Sequence, residues 1–277
     1  MKIFITVILF TLIFIFSTGF LSNRNIESTP SETAFSFSSE KEMVVGEEIV
    51  YVVKYYLLKL GELRFKVVSK GKANGKNVYN AIVYMDSYNG VPMVDLHQTY
   101  ETKLNSDYYS EYFRGIVKGK DYSSFTDYYF NYPKKNVHVK KGKVNPYQIW
   151  NDTNGVVNKM LQDGLSIFYF ARMNTGRKHS VDVPCMVNEK QVNTHINFYD
   201  QPQKTRIESV NYDISSVYVD GRTDFVSVFG LTGFFDGWFT NDAAGIPLKA
   251  NLNVLIGKAS VELISWKRPG WNPPKYN

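Results

Sequence analysis

Polar and apolar residues alternate along most of the chain from residue 46 onward, and this alternation predicts β-strands. The clearest run, Glu62 to Val67, places every second side chain on a buried face and the others in water. Comparable runs rich in aromatic and β-branched residues predict strands at 46–55, 77–86, 97–104, 108–118, 123–132 and, more briefly, 136–141.

The alternation resumes in the C-terminal part of the chain. It predicts strands at 179–187, 191–199, 205–219, 246–256 and 258–266, with a turn at Gly257 between the last two. Pro184 indicates an edge strand or a bulge. The strands recur at short intervals without a fixed repeat. The predicted fold is therefore mainly β, either a strongly curved antiparallel sheet or a partly open β-barrel.

One stretch follows a helical period and predicts a single helical insertion at about residues 155–174. Its apolar side chains recur at Val157, Met160, Leu161, Phe168 and Ala171. Thr153 or Asn154 is the expected N-cap, and Gly176 is the expected stop. Gly164 costs about 1 kcal/mol relative to alanine in a helix interior, so two short helices meeting there are the alternative. The insertion is expected to plug or line one opening of the sheet.

The composition supports the β prediction and limits the chemistry. Aromatic residues make up 16% of the chain, with 20 Tyr and 19 Phe, and aromatic residues favour pleated, half-buried surfaces. The single cysteine, Cys185, excludes an intramolecular disulfide and any site that needs several cysteines. The four histidines fall on four different predicted strands, at His97, His138, His179 and His195. No metal and no cofactor are expected.

The N-terminal residues predict export. Lys2 is followed by an apolar run and by the small residues Ser17, Thr18 and Gly19, which is typical of a signal peptide. Residues 1–21 are therefore expected to be a signal peptide or, if uncut, a membrane anchor through residues 3–21. Residues 22–45 are expected to be a flexible linker, 46–267 a single β-rich domain and 268–277 an irregular tail. The expected location is the periplasm or the cell envelope, with membrane association only through an uncut N-terminal segment.

The charge is mildly basic, with a formal net charge of +6 and a pI near 9.1. A lysine cluster surrounds His138, at Lys134, Lys135, Lys140, Lys141 and Lys143. These lysines fit a solvated hairpin that protects an exposed edge strand. The alternative is contact with anionic lipid headgroups or acidic glycan. Nucleic acid is not an expected partner for an exported chain.

Three motifs in sequence order resemble a bacterial exported family, domain of unknown function 3108. They are the early Gly46-Glu47 strand, a helix reading Asp163-x-x-Ser166-x-x-Tyr169-x-x-Arg172, and a late block from Gly237 through Ile246-Pro247 to Glu262-Leu263. The resemblance covers about Gly46 to Trp266. It implies a β-rich fold in the bacterial envelope, and it implies no established chemistry.

The motif positions supply the candidate ligand-binding residues. Arg172 is expected to reach a carboxylate on a strand and pin the helix, or else to hold an anionic ligand. Ser166 and Tyr169 share its helix. In the late block, Trp238 and Phe239 stand beside a turn made by Asn241 and Asp242. Trp238 is expected in the core of a sheet-edge hairpin, or else the aromatic pair forms a platform at a cavity mouth.

Catalytic signatures are weak, and no catalytic residue is assigned. The chain has no Gly-x-Ser-x-Gly elbow, no His-Glu-x-x-His motif and no phosphate-binding glycine loop. Cys185, beside Pro184 in a predicted strand, fits a small buried hydrophobe. Asp236 and Asp242 form one carboxylate pair that a glycosidase could use, but their spacing does not distinguish them from ordinary turn acids.

The function favoured by these patterns is that of a non-enzymatic envelope protein. Its curved sheet is expected to bind an apolar or amphipathic ligand, a lipid or a glycan, or to dock an envelope protein partner. A structural or assembly factor for surface export is the main alternative. A polysaccharide hydrolase is the third hypothesis.

Overall fold

The structure is a computed structural model that describes residues 41–277, apart from 74, 93, 227–230 and 255–256. The expectations for a signal peptide or anchor at residues 1–21, and for the linker up to residue 40, lie outside the described residues. In the part of the chain that is described, no helix is both long and apolar enough to cross a membrane.

The described residues form one large antiparallel sheet and one short helix. The helix is α1 (Ser166–Asn174). The strands are β1 (Glu48–Tyr55), β2 (Leu58–Ala73), β3 (Lys76–Ser87), β4 (His97–Leu104), β5 (Ser110–Lys118), β6 (Ser123–Asn131), β7 (Asn136–Lys143), β8 (Gln148–Val156), β9 (His179–Val187), β10 (Lys190–Phe198), β11 (Gln203–Thr205), β12 (Ile214–Thr223), β13 (Leu231–Thr240), β14 (Pro247–Val254) and β15 (Lys258–Lys267). This confirms the mainly β prediction.

The sheet does not close into a barrel. Its strands follow the order β8-β7-β6-β5-β4-β3-β2-β1-β15-β14-β13-β12-β10-β9, and β11 pairs only with β12. The free edges are therefore β8 and β9. The segment after β8 runs from β5 to the edge strand β9: Leu161 O accepts from Ser110 N at 3.1 Å, and Gln162 N donates to Pro184 O at 2.8 Å. This segment bridges the opening without adding a full strand.

The two ends of the sheet differ in what they carry. We call the end with the turns at 56–57, 88–92, 119–122, 144–147 and 188–189 the apical end; β12 and β14 also end there, and β13 and β15 begin there. The opposite, basal end carries the turns after β2, β4 and β6 and the connection from β13 to β14. The last turn of α1 lies at the basal end, where Arg172 donates to Ala244 O at 3.2 Å.

The helix prediction was right in kind and wrong in extent. Thr153 and Asn154 belong to edge strand β8, and α1 begins only at Ser166. Strand β8 is polar and exposed on both faces, so its residues show no alternation that would reveal a strand. Leu165 immediately precedes the helix, and Asp163 caps the turn that leads into it: its Oδ1 accepts from the backbone N–H groups of Leu165 and Ser166, both at 2.7 Å. Gly176, with φ +87°, follows the helix end as predicted.

Two further segments depart from the expected pattern. The long strand predicted at 205–219 is two strands, β11 and β12, because residues 206–213 form a loop held by the Arg206–Asp213 pair at 2.5 Å. The expected linker reaches the domain at its C-terminal end, where Met43 is 1% exposed. The tail is irregular but packed: Tyr276 N donates to Asp213 O at 2.8 Å.

Candidate functional site

A buried ion pair fixes the basal end of helix α1. Arg172 donates to both carboxylate oxygens of Glu47, at 2.6 and 3.1 Å, and the two side chains are at most 1% exposed. Glu47 precedes β1, and Gly46 before it has φ +83°, which glycine adopts without strain. The bidentate pair therefore joins the helix directly to the start of the central strand.

Two more cations surround this pair. Arg268, just after β15, also donates to Glu47, and Lys41 Nζ donates to Arg172 O at 3.2 Å.

Burial opposes ionisation of Glu47, but the charges of Arg172 and Arg268 outweigh burial and lower its pKa. Burial also opposes the charge on Arg172, yet Glu47 raises the pKa of the guanidinium. Burial lowers the pKa of Lys41 to about 8.

The other end of α1 is held by a buried carboxylate. Asp163 caps the first turn, Thr102 Oγ1 in β4 donates to its Oδ2 at 2.5 Å, and Ser166 Oγ accepts from Asp163 N at 2.7 Å. Burial raises the pKa of Asp163 in spite of these hydrogen bonds. The helix is thus attached to the sheet at both ends by buried ionisable groups.

A cavity of about 250 Å³ lies between the helix and the sheet. On the helix, Ile167, Phe168 and Ala171 face it, at the i, i+1, i+4 spacing of one helix face. The sheet side is almost entirely carbon and comes mainly from Tyr51, Leu63, Phe65, Cys185, Val187, Thr194, Ile196, Val219, Thr223, Phe225, Phe235, Phe239, Pro247, Ala250, Leu252 and Val261. The cavity therefore offers an apolar interior with few groups that could bind a polar ligand.

Some inward side chains of β2, β14 and β15 are more exposed toward the apical end than toward the basal end. On β2, Phe65 is buried and Leu63 is partly exposed. On β14, Leu248 is fully buried and Leu252 is partly exposed. The same change occurs on β15 between Leu263 and Val261. The helix closes the basal side, and the apical lining residues Val187 and Thr223 are buried on β9 and β12, so the apical opening lies beside Leu63 and Leu252.

The predicted helix residues lie together but do not line the cavity. Ser166, Tyr169 and Arg172 are all fully buried, and the cavity is lined instead by the neighbouring face of the helix. Arg172 lies against the Glu47 carboxylate, and Ser166 forms part of the N-terminal cap. The Tyr169 and Tyr51 hydroxyls are buried without a hydrogen-bond partner among the described residues.

Trp238 and Phe239 lie on opposite faces of one strand. Phe239 lines the cavity, whereas Trp238 lies on the outer face, where its ring is 4.7 Å from Lys249 Nζ. The expectation that Trp238 packs in the core of a sheet-edge hairpin was wrong. Strand β13 lies between β12 and β14, and residue 238 occupies an outward-facing position on it. Adjacent residues in a strand cannot form one platform.

Asn241 and Asp242 lie in the basal β13–β14 turn. Asp242 accepts from Thr240 Oγ1 at 2.6 Å and from Trp271 Nε1 at 2.7 Å, and so ties the tail to this turn. Asp236 lies on the outer face, where it accepts from Asn251 at 2.7 Å. The two carboxylates considered for a hydrolase therefore do not face each other across a cleft.

The remaining reactive side chains have local partners. Cys185 is 2% exposed, and burial raises the pKa of its thiol to about 12, as expected for a small buried hydrophobe. His97 pairs with Asp86 at 2.7 Å, His138 with Asp152 at 2.5 Å and His195 with Asp182 at 2.8 Å. No group of three metal-ligating side chains occurs in the described ranges.

The lysine cluster does not sit on the sheet edge. Strand β7, which carries Lys140, Lys141 and Lys143, is covered by the edge strand β8. Lys141 pairs with Glu189 at 3.1 Å, and Glu189 lies in the turn between β9 and β10. Lys141, on the strand next to edge β8, therefore connects this end of the sheet to the turn beside edge β9, which the sequence alone did not suggest.

The sequence missed most residues of the cavity wall, and it missed Glu47 as the partner of Arg172. Apolar alternation identifies inward positions such as Ile196 and Val219. The pattern is identical whether the space that these side chains face is filled or empty. The role of Glu47 could have been predicted, because a glutamate directly before a buried strand is expected to pair with a buried cation.

Comparisons with known proteins identify a fold and no activity. No family model matches the chain, and no curated protein is similar to it. The similarity to domain of unknown function 3108 is therefore not supported by a family match. A crystal structure of a beta-barrel-like protein from Brucella abortus, of domain of unknown function 1849, covers 81% of this chain and 98% of its own, with 12% identity and a TM-score of 0.50. A structure from Parabacteroides distasonis, described as a "putative lipoprotein", covers 82% of this chain and 98% of its own with 9% identity and a TM-score of 0.34, which is too low to support an argument.

Proposed function

We propose that this protein is a non-enzymatic binding protein of the bacterial envelope that holds one apolar chain, such as the acyl chain of a lipid, in the cavity beside α1. The observation that carries the proposal is the carbon lining of a cavity that opens at the apical end. Concave apolar sites that are formed before the ligand arrives are typical of small-molecule binding. The N-terminal sequence supports an exported location.

The cavity size favours a single chain. At about 250 Å³, it is larger than the ~150 Å³ apolar cavity that stays dry and binds benzene, and smaller than the ~300–1,000 Å³ pockets of larger ligands. At the roughly 30 Å³ that a water molecule occupies, the space corresponds to about eight methylene groups. Each buried methylene contributes about 0.8 kcal/mol, so we expect affinity to increase with chain length up to about eight carbons.

The electrostatics of the lining favour an amphipathic ligand held by its tail. The cavity includes the backbone regions of Lys249 and Asp236, but their charged groups lie on the outer face of the sheet. Asp163 uses its carboxylate oxygens in the helix cap and in the bond to Thr102. No charged group of the described lining is available for a headgroup inside, so the headgroup would stay at the apical mouth.

The same residues argue for binding rather than catalysis. The buried carboxylates Glu47 and Asp163 are occupied by structural partners. The Cys185 thiol, whose pKa burial raises to about 12, is not a nucleophile near neutral pH. A polysaccharide would require polar and acidic groups around an open cleft, and the apolar cavity does not provide them.

Filling the cavity tests the proposal. Ala171→Phe places a ring in the space beside Phe168, whereas Ala243→Phe makes the same change in the exposed part of the basal turn. We expect the full chain to bind the apolar dye N-phenyl-1-naphthylamine and to release it when a medium-chain fatty acid is added. Ala171→Phe should weaken dye binding at least tenfold, and Ala243→Phe should leave it unchanged.

Thermal unfolding provides the folding control for this pair. Ala171→Phe should melt at or above the temperature of the unmodified protein, because it fills an apolar void. Equal dye binding by both variants, or no binding of dye or fatty acid by the unmodified protein, would contradict the proposal. The second result would favour a structural or assembly role in surface export.

A further inference from the structure

Exposed apolar side chains concentrate on the apical turns. In the β1–β2 turn, Tyr56 is 77% exposed and Leu57 is 99% exposed, and Leu58 beside them is 50% exposed. The other apical turns and the strand ends next to them add Leu96, Val117, Tyr122, Val144, Tyr147, Ile149 and Trp150. Such side chains are costly to leave in water when they form a group, so their position calls for a contact.

The basal end lacks this concentration in its described residues. Lys134 and Lys135 are exposed in the β6–β7 turn, and Lys72 and Lys76 flank the β2–β3 turn. Five large apolar side chains are exposed near or toward this end, namely Val45, Val68, Tyr129, Val156 and Met160, half as many as at the apical end. The apical enrichment is therefore a property of one end of the molecule and not of its whole surface.

Lysines accompany the apical apolar residues. Lys59, Lys118, Lys120 and Lys258 are exposed beside these turns. Lys143 Nζ lies 5.0 Å from the Tyr122 ring, which in turn contacts Trp150 at 5.6 Å. The acids at this end are Asp86, Asp95, Asp121, Glu189 and Asp224, of which Asp86 lies 2.7 Å from His97, and Glu189 and Asp224 pair with Lys141 and Arg222. Basic charge therefore prevails beside the exposed rings.

The shape of this surface favours a lipid bilayer over a protein segment as its partner. Its apolar side chains project from separate turns of β1–β2, β3–β4, β5–β6 and β7–β8. Tips of this kind do not form one groove for a protein segment. Trp and Tyr beside Lys are typical of positions at a membrane–water interface, where the ring is buried and the amine contacts lipid phosphate.

We propose that the apical end docks on an anionic lipid bilayer, with Leu57, Leu58 and Trp150 entering the interface. Because the cavity opens at the same end, docking would place its mouth against the lipid. The surface is a different feature from the cavity, so the proposal does not require that the cavity binds a chain. It differs also from anchoring through residues 3–21, which all the variants below retain.

Vesicle binding of the full chain tests the docking surface. The vesicles contain phosphatidylethanolamine with a minor share of phosphatidylglycerol, and binding is measured by flotation. Leu57→Asp combined with Leu58→Asp should weaken binding roughly tenfold or more, since each aspartate is unfavourable in apolar surroundings. The matched control, Val45→Asp combined with Val156→Asp, changes exposed apolar residues outside the apical end and should bind as the unmodified protein does.

A fluorescent probe gives a readout that does not depend on the stability of these variants. Leu57→Cys and Lys134→Cys place an environment-sensitive dye at the apical and the basal end, and the buried native Cys185 should not react. Vesicles should shift the emission of the dye at position 57 to the blue and leave the dye at position 134 unchanged. High salt should reduce the shift, because exposed lysines contribute to binding.

Several results would overturn the docking proposal. They are equal vesicle binding by the apical and control variants, a shift at both probe positions or at position 134 alone, and no shift at either. A shift at position 57 only with solubilised envelope proteins, and not with vesicles, would also overturn it and indicate a protein partner. Ala171→Phe should still bind vesicles, so a failure of cavity binding is distinguishable from a failure of docking.

Discussion

The two halves of the curved sheet enclose different interiors. Strands β3 to β7 direct large aromatic side chains inward, and Tyr100, Phe113, Phe125 and Tyr128 are each at most 5% exposed. Their rings contact one another, with Tyr100–Phe113 at 5.5 Å and Phe113–Tyr128 at 5.4 Å. The other half, from β9 through β15, faces the cavity beside α1. One half is therefore filled and the other is hollow.

The difference follows from the size of the inward residues. Both halves use glycine to fit a ring, since a Cβ would lie 2.9 Å from the Tyr100 ring at Gly115 and 2.3 Å from the Phe235 ring at Gly221. In the hollow half, several inward positions hold small or medium side chains, such as Val219, Thr223 and Ala250. Alternating polarity decides which face is buried, and side-chain volume decides whether the space is filled.

The helix explains why the hollow half does not collapse. An unfilled apolar space is unfavourable, so α1 would gain contacts by moving toward β12 and β13. The Arg172–Glu47 pair at one end and the Asp163–Thr102 bond at the other hold it at a distance from those strands. The polar anchors thus determine the geometry of an apolar site that they do not line.

Removal of the basal anchor should produce the largest effect. We expect Arg172→Ala to lower the free energy of unfolding by about 3–5 kcal/mol, because Glu47 then loses its main buried partner. The helix should also move toward the cavity, so that dye binding falls even at temperatures where the protein is folded. Urea unfolding and dye titration measure the two effects.

Arg268→Ala is the matched control for this change. Its side chain is partly exposed and also donates to Glu47, while Arg172 remains in place. We therefore expect a loss of only about 1 kcal/mol and unchanged dye binding. Equal losses for the two variants would show that the helix does not depend on Arg172 for its position.

A phenylalanine-to-alanine substitution in each half should cost different amounts of stability. Phe113→Ala removes a 3%-exposed ring from the filled half and should cost about 3–5 kcal/mol. Phe235→Ala removes a partly exposed ring from the cavity wall and should cost about 1–2 kcal/mol, because less apolar area leaves water in folding. Urea midpoints measure the difference, and equal costs would mean that both halves are equally packed.

The sequence predicted the fold more completely than the site. Strands such as Glu62 to Val67 combine local propensity with clear alternation, and both signals agree with the sheet. Strand β8 was missed because both of its faces are exposed to solvent. Such a strand can be identified only from its pairing with the neighbouring strand, here β7. Glu47 and Arg172 are 125 residues apart, so their contact depends on tertiary structure.

Acid should change the contributions of Glu47 and Asp163 to stability in opposite directions, and this effect is the smallest we predict. The folded-state pKa of Glu47 is lowered below its usual value of about 4.3, so its contribution to stability is complete above that pH and is lost as the pH falls through the lowered pKa. The folded-state pKa of Asp163 is raised, so its protonation favours the folded state as the pH falls through the raised value.

Two isosteric variants separate these contributions. Glu47→Gln should be less stable at neutral pH but should lose less further stability between about pH 5 and pH 3 than the unmodified protein, since its side chain no longer titrates. Asp163→Asn should lose more over the same range, because it lacks the compensating proton uptake. Urea midpoints across this range measure both slopes.

Hydrogen exchange in the unmodified protein should rise in α1 and the hollow half before it rises in β3 to β7, because only the hollow half depends on the Glu47 anchor. Uniform exchange across both halves would mean that the sheet opens as one unit and that the filled and hollow regions are not separately stabilised.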